Sequence, residues 1–498
     1  MLQSDLILQA QQFLNKNYQH LDKFPAIVED GKFHLSNMVA TTFALQNELK
    51  IAKPSGAIGE QTLSNADSDL KDLTKAPVKA LDVVRCALIF KGYFPNEFNK
   101  EYGMRDSIVE RAFSDHLGIN PENFSRAKWI GALFKPVYIG LNNFQKGSQQ
   151  VLKVQQWLNV VYGGNASTSY IVPNGVREAE TMFILRAYYY ELVGVSNTVN
   201  MGVWNAQVRV AFADEKYQIS KDHNEAKELV LVAQAALTLL GFPPDNLNSE
   251  FDKSTQKQLR DFQKFVAIKE TGEVDTRTWY SLLFSSGDPN RVGNACDTVT
   301  AVDENKAKTL KDAKVKFVGR YLAGKPISDT LPKVLQPGEK EIITRHGLKV
   351  YPIYQLVGDS IKYFSYERGL IAGKDAHTRA KTFKFGAGEI IYFAVDFDPN
   401  TDDIQGAIIP YFQGIRDALS QENSTFKVGV YGTHLVCQMV SDAINASASF
   451  TASLSNNYHG NAGIPLPQNW AIQQGPATTL GEGDGAIQVD VNYSSPRA

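Results

Sequence analysis

The sequence is poor in the residues that build disulfide frameworks or metal centres. It has three cysteines in 498 residues, Cys86, Cys296 and Cys437, far apart and without a CxxC spacing. An odd, small set of this kind reads as buried free thiols rather than a disulfide scaffold. The eight histidines, His346, His377, His434 and His459 among them, form no HxH or HExxH pattern, so neither a metal site nor a cofactor is expected. No GxGxxG or P-loop is present, which removes the usual nucleotide cradles. Charge of either sign is not in excess: 51 Lys+Arg face 53 Asp+Glu, a formal net charge of -2, and no nucleic-acid partner is expected. No run approaches the roughly 18 apolar residues that span a bilayer. The start, Met1 to His20, has no basic segment followed by an apolar core and does not read as a signal peptide. An extracellular or cell-wall location would then require non-classical export, release at lysis or a trimmed leader.

What is present is a repeat. Leu8–Asn15 resembles Leu152–Asn159, Gly92-Tyr93-Phe94-Pro95 resembles Gly241-Phe242-Pro243-Pro244, and Trp129–Phe134 falls opposite Thr278–Leu283. The displacement is roughly 145–149 residues, and fixed-period self-similarity of this kind marks duplicated units. We read 1–143 and 144–284 as two copies of one helical unit, each built of two modules. The clearest module is 226–284. Leu229, Val232, Ala233, Ala236, Leu237 and Leu240 follow helical spacing. Gly241-Phe242-Pro243-Pro244 ends that helix, Ser254 begins a second, and Asp275 or Thr276 caps a third. Thr255, Phe262-Gln263, Gly272-Glu273-Val274-Asp275 and Thr278-Trp279 resemble the three-helix peptidoglycan-binding domain. A weaker echo is Ala44-Leu45-Gln46 with Gly56–Leu63. In the copy at 79–134, Ser114 stands where Gln263 does. The resemblance implies peptidoglycan or a related cell-wall glycan as partner.

Ser285 to Asn290 is small and turn-forming, so 285–291 reads as a linker. Beyond it, from 292 to 498, short β-rich runs alternate with helical stretches, the rhythm of βαβ units. Eight strands are expected: Gly293–Thr298, Lys316–Leu322, Leu348–Leu356, Glu389–Phe397, Lys427–Tyr431, Ser449–Leu454, Asn469–Gln473 and Ile487–Val491. The fold class expected is therefore a mainly α N-terminal half followed by a C-terminal (β/α)8 TIM-like barrel, with an open doubly wound sheet as rival. In such barrels the chemistry sits at the C-terminal strand ends. Ile390–Val395 runs into Asp396-Phe397-Asp398, and residues i and i+2 of a strand share a face, so both carboxylates are expected at the barrel mouth. Asp297 ends the first strand and Asp490 lies on the last, which become neighbours if the barrel closes. Two crowded carboxylates cannot both ionise cheaply, and a raised acid beside an ionised partner suits glycosidic cleavage. Gln355, Tyr431, Trp470, Gln473, Asn492 and Arg320 are the expected substrate-binding side chains.

This constellation resembles the Rv2525c-like glycoside-hydrolase-like domain of unknown function found beside peptidoglycan-binding modules in bacteria, itself related to the family 25 lysozymes. The resemblance rests on Ile391–Asp398, Gly429-Val430-Tyr431-Gly432, Trp470–Gln474 and Val489-Asp490-Val491-Asn492. It implies a muramidase-like hydrolase, with Asp398 as acid, Asp396 beside it, and Asp297 and Asp490 positioning water or sugar. The lysozymes carry Asp-x-Glu where this chain has Asp396-x-Asp398. The missing methylene draws the acid back by about 1.5 Å. The alternative expectation is thus a catalytically inactive, glycan-binding barrel.

Overall fold

The computed structural model describes residues 3–120, 124–136, 147–163, 170–195, 206–324 and 333–496. The expected boundary at 143–144 lies outside them. The chain packs as two compact units, 1–177 and 178–498. The first holds α1 (Gln3–Tyr18), α2 (Leu35–Glu48), α3 (Glu60–Asp69), α4 (Val78–Phe90), α5 (Met104–Leu117), α6 (Arg126–Phe134) and α7 (Gln149–Val161). The second opens with α8 (Ala179–Leu192), α9 (Ala206–Ala213), α10 (Lys227–Leu239), α11 (Lys253–Phe265) and α12 (Thr276–Leu283). Asp252 caps α11, two residues before the expected Ser254, and Asp275 caps α12; each accepts the amide of the residue three further on.

One device recurs through the helices. Gln11, Gln46, Gln155, Gln234 and Gln263 are all buried. Each side-chain oxygen accepts the amide of a left-handed residue in the following turn: Gly31, Gly56, Gly175, Ser249 and Gly272. Each side-chain nitrogen donates to the next carbonyl along: Lys32, Ala57, Val176, Glu250 and Glu273. A carboxamide carries donor and acceptor together, so one buried side chain satisfies both groups on the inner side of the turn. Arg85 takes this place in α4. It donates to the carbonyls of Lys100 and Glu101 and pairs with buried Asp82 and Asp106. Ser114, opposite Gln263 in the repeat, accepts from the indole of Trp129 at 3.1 Å instead.

The C-terminal strands are β1 (Ala295–Asp297), β2 (Phe317–Ala323), β3 (Lys349–Tyr354), β4 (Ile390–Ala394), β5 (Lys427–Gly432), β6 (Ala448–Thr451), β7 (Trp470–Leu480) and β8 (Ile487–Ser494). They close in that order. The outer layer is α13 (Glu304–Asp312), α14 (Glu339–Arg345), α15 (Tyr366–Thr382), α16 (Thr401–Asp403), which runs through a π turn into α17 (Ile409–Gln421), and α18 (His434–Ile444). Closure agrees with the expectation, but the barrel is mixed and not a plain (β/α)8. β1 to β7 are parallel, whereas β8 is antiparallel to both β7 and β1. The reason is length. β7 continues past Gln473 through a bulge between Gln474 and Ala477 and ends at Leu480, leaving only 481–486 before β8. A parallel return needs a crossover of about a dozen residues; a tight turn permits only an antiparallel one. No helix separates β6 from β7, which are joined by the loop 452–469.

Helices and strands pack over one apolar layer that includes Val318, Ile391, Phe393, Phe412 and Val430. The barrel's own interior is stoppered by Tyr351, Tyr392 and Phe450, whose ring centroids lie 5.8–6.0 Å apart in edge-on contacts. Gly319 makes room for this plug. A Cβ there would sit 2.6 Å from the Tyr351 ring.

The buried carboxamides generate a prediction. Gln263→Ala strands the Gly272 amide and the Glu273 carbonyl, and should destabilise the C-terminal unit by about 3 kcal/mol. Lys257→Ala, on the exposed side of α11, should change stability by less than about 0.5 kcal/mol. Urea unfolding followed by tryptophan fluorescence measures both.

Candidate functional site

Above the aromatic plug, at the C-terminal ends of the parallel strands, lies a cavity of about 360 Å³ open to solvent. Its polar lining includes Tyr321, Lys333, Gln355, Asp396, Tyr431 and Asp490. Strand closure sets its acidity. Asp297 on β1 pairs in register with Asp490 on β8. Asp396 follows β4, which lies half-way round the eight-stranded ring from β8, so the cavity separates Asp396 from Asp490.

One wall is a chain of contacts from rim to floor. The exposed Asp396 carboxylate accepts from Gln355 Nε2 at 2.9 Å, and Gln355 Oε1 accepts from Lys333 Nζ at 3.0 Å. The Lys333 ammonium stands 4.4 Å from the Tyr321 ring centroid. The Tyr321 hydroxyl donates to Asp297 Oδ1 at 3.0 Å, and Asn492 Nδ2 donates to Asp297 Oδ2 at 2.8 Å. On the other wall Tyr431 donates to Gln474 Oε1 at 2.9 Å, and Gln474 Nε2 donates to Asp490 Oδ2 at 3.3 Å.

Burial is the main electrostatic force. Asp297 is 2% exposed. Removal from water, with the charge of Asp490 adding to it, pushes its carboxyl up to about 7; Asn492, Tyr321 and Lys333 pull the other way. Burial also raises Asp490, opposed by its bond from Gln474. Lys333 is lowered by burial, against the pull of Asp396 and Asp297. A carboxyl that keeps its proton near neutrality, beside others at an open mouth, is the usual setting for acid–base chemistry.

The expected site residues divide. Asp396, Asp490, Gln355 and Tyr431 line the cavity; Asp297 and Asn492 lie beneath it, joined to it through Tyr321. The other four do not line it. β4 ends at Ala394, so the strand alternation expected to carry Asp398 into the mouth has stopped before it. Its two oxygens accept the amides of His459 and Gly460 at 2.7 and 2.9 Å. Arg320 points outward from β2, fully buried against Glu339 at 2.6 Å and the carbonyls of Thr298 and Lys333. Trp470 is buried and donates to the Phe265 carbonyl at 3.0 Å. Gln473 donates to the Ser285 carbonyl at 2.7 Å and accepts from Arg291 at 2.9 Å. Tyr321, Lys333 and Gln474 were missed. Tyr321 and Gln474 each sit one position from a residue that was chosen, Arg320 and Gln473, and adjacent strand residues face opposite ways. Lys333 lies in a loop and carries no local signal.

Comparison with known proteins agrees with both halves of this description. The Rv2525c-like, glycoside hydrolase-like domain model matches residues 308–493, and the peptidoglycan binding domain model matches residues 226–282. The crystal structure of the Mycobacterium tuberculosis Tat-secreted protein Rv2525c aligns with 42% of this chain and 97% of its own, at 19% identity and a TM-score of 0.34. Among the described residues no helix is long and apolar enough to cross a membrane. The Bacillus subtilis protein YbfG is 30% identical over 99% of this chain and 68% of its own length. FadG of the same organism is 35% identical over 99% of this chain and 85% of its own length. The chain therefore belongs to the family of FadG and YbfG, which here joins a peptidoglycan-binding domain to a glycoside-hydrolase-like barrel.

Proposed function

We propose that the barrel is a muramidase-like hydrolase of cell-wall glycan, acting on the β-1,4 bonds of peptidoglycan and brought to the wall by its helical modules. The observation that carries this reading is the pair Asp490 and Asp396, facing one cavity from opposite strands. Two carboxyl groups flanking a sugar are the working parts of glycosidic cleavage. Burial raises Asp490, the direction that suits a proton donor to the leaving oxygen. Asp396, fixed by Gln355 and through it by Lys333, stands where positive charge develops on the sugar ring. The acid role that the lysozyme resemblance gives to Asp398 passes to Asp490, because both Asp398 oxygens are engaged by backbone amides. That engagement also favours a second reading, a barrel that holds cell-wall glycan without cutting it.

Turbidity loss and reducing-end release from purified peptidoglycan separate the two. Wild-type protein should release reducing ends, and Asp490→Asn and Asp396→Asn should each lose on the order of 10²-fold or more. Asp398→Asn should lose less than about tenfold. Co-sedimentation of the wild type with insoluble walls, without reducing-end release, would establish the binding reading instead.

Asp297 gives a pH signature. Its folded value near 7 lies above the roughly 3.9 of an unfolded aspartate, so between those values the folded state holds the extra proton. Its contribution is complete below about pH 4 and lost as pH rises through about 7. Relative to wild type, Asp297→Asn should therefore gain about 2–4 kcal/mol of stability between pH 4 and pH 8. Urea midpoints of both proteins at the two pH values measure this.

A further inference from the structure

The loop 452–469 stands where the barrel lacks a crossover helix, and it is fastened from two sides. Ala452, Leu454, Ser455 and Tyr458 line the acidic cavity. From the barrel, Asp398 accepts the amides of His459 and Gly460 and the His434 amide donates to Asn461 Oδ1 at 2.9 Å, while within the loop the Asn461 side chain donates to the carbonyls of Ala452 and Ser455 at 2.9 and 3.1 Å. From the helical segment, the Ser285 hydroxyl and the Ser286 amide both donate to Asn456 Oδ1, each at 2.9 Å. Ser285 Oγ also lies 2.8 Å from the Ser453 carbonyl, and Arg186 reaches the Asn456 carbonyl at 3.4 Å. Ser285 directly follows the peptidoglycan-binding module, and both belong to the same compact unit as the barrel. The segment expected as a linker is thus pinned, with Ser286 and Asp288 buried.

We propose that Asn456 is a positioning residue through which the helical module sets one wall of the barrel cavity. The wall residues flank Asn456 directly, Ser455 before it and Tyr458 two beyond. Asn456 is 8% exposed, and its side-chain oxygen accepts the Ser286 amide and shares the single Ser285 hydroxyl proton with the Ser453 carbonyl. Removing that oxygen leaves the Ser286 amide without its acceptor and frees the middle of the loop, while Asp398 still holds its far end. Seating of the module and shape of the cavity are therefore one structural event. Consequences for glycan rest on the function proposed above; the latch itself does not.

The test uses the full chain and two readouts. Native-state hydrogen exchange at 453–458 should quicken about tenfold or more in Asn456→Ala, while β5 and α10 keep wild-type protection. Ser285→Ala should give a smaller change in the same segment, and the double variant should exceed Asn456→Ala only by the lost Ser285–Ser453 bond, with the shared Ser285–Asn456 contact counted once. Ser285→Thr, which keeps the hydroxyl, should restore protection. Unchanged exchange at 453–458 in Asn456→Ala would overturn the latch. The second readout is affinity for a soluble tetrasaccharide of alternating N-acetylglucosamine and N-acetylmuramic acid. It should fall about tenfold in Asn456→Ala. Full affinity despite a loosened loop would refute the positioning role. A wild type that does not bind the tetrasaccharide would overturn the glycan reading, and exchange would still decide the latch.

Discussion

The pairing of β8 with β1 puts Asp490 opposite Asp297 and converts a curled sheet into a closed barrel with an acidic mouth. Much of the site depends on that contact. It removes the sheet's edges. It brings Asp490 beside Asp297, so that burial and mutual repulsion together hold a proton on the deeper acid. It also brings Asn492 under Asp297, supplying the donor that fixes the carboxyl from below. The antiparallel direction of β8 follows from the short turn before it, so the chemistry of the mouth traces back to a bulged seventh strand that runs on to Leu480.

The helical half solves a different problem. Short helices joined by tight turns must bury backbone groups that no ladder can satisfy, and five glutamines do this with the same pair of bonds. Where the repeat has Arg85 instead, the same carbonyl is reached by a guanidinium that needs two carboxylates beside it. An ion pair taken from water is tolerated only when every donor is matched, and Asp82 and Asp106 match them.

The barrel strands were readable because apolar β-branched runs between turn residues have few other uses. All eight expected segments overlap observed strands. Asp396, Asp490, Gln355 and Tyr431 were readable because polar residues ending apolar strands face the mouth. Parity was the weak point. Choosing Arg320 over Tyr321 and Gln473 over Gln474 is a one-residue error that reverses the face, and it is settled by register and by the bulge, neither of which is a local property. Asp398 shows the same limit at a strand end, four residues beyond Ala394, where the strand has already stopped.

The amino-acid order alone determined the helices of 226–284, the positions of the eight C-terminal strands, and the acidic residues near their ends. Those properties reside in spacing within a single segment. Only the tertiary structure decided which acids share the cavity, that β8 turns back antiparallel, and that Ser285, Ser286 and Asn456 join module to barrel. Burial, register and long-range hydrogen bonds join residues far apart in the chain, and no local pattern encodes the partner.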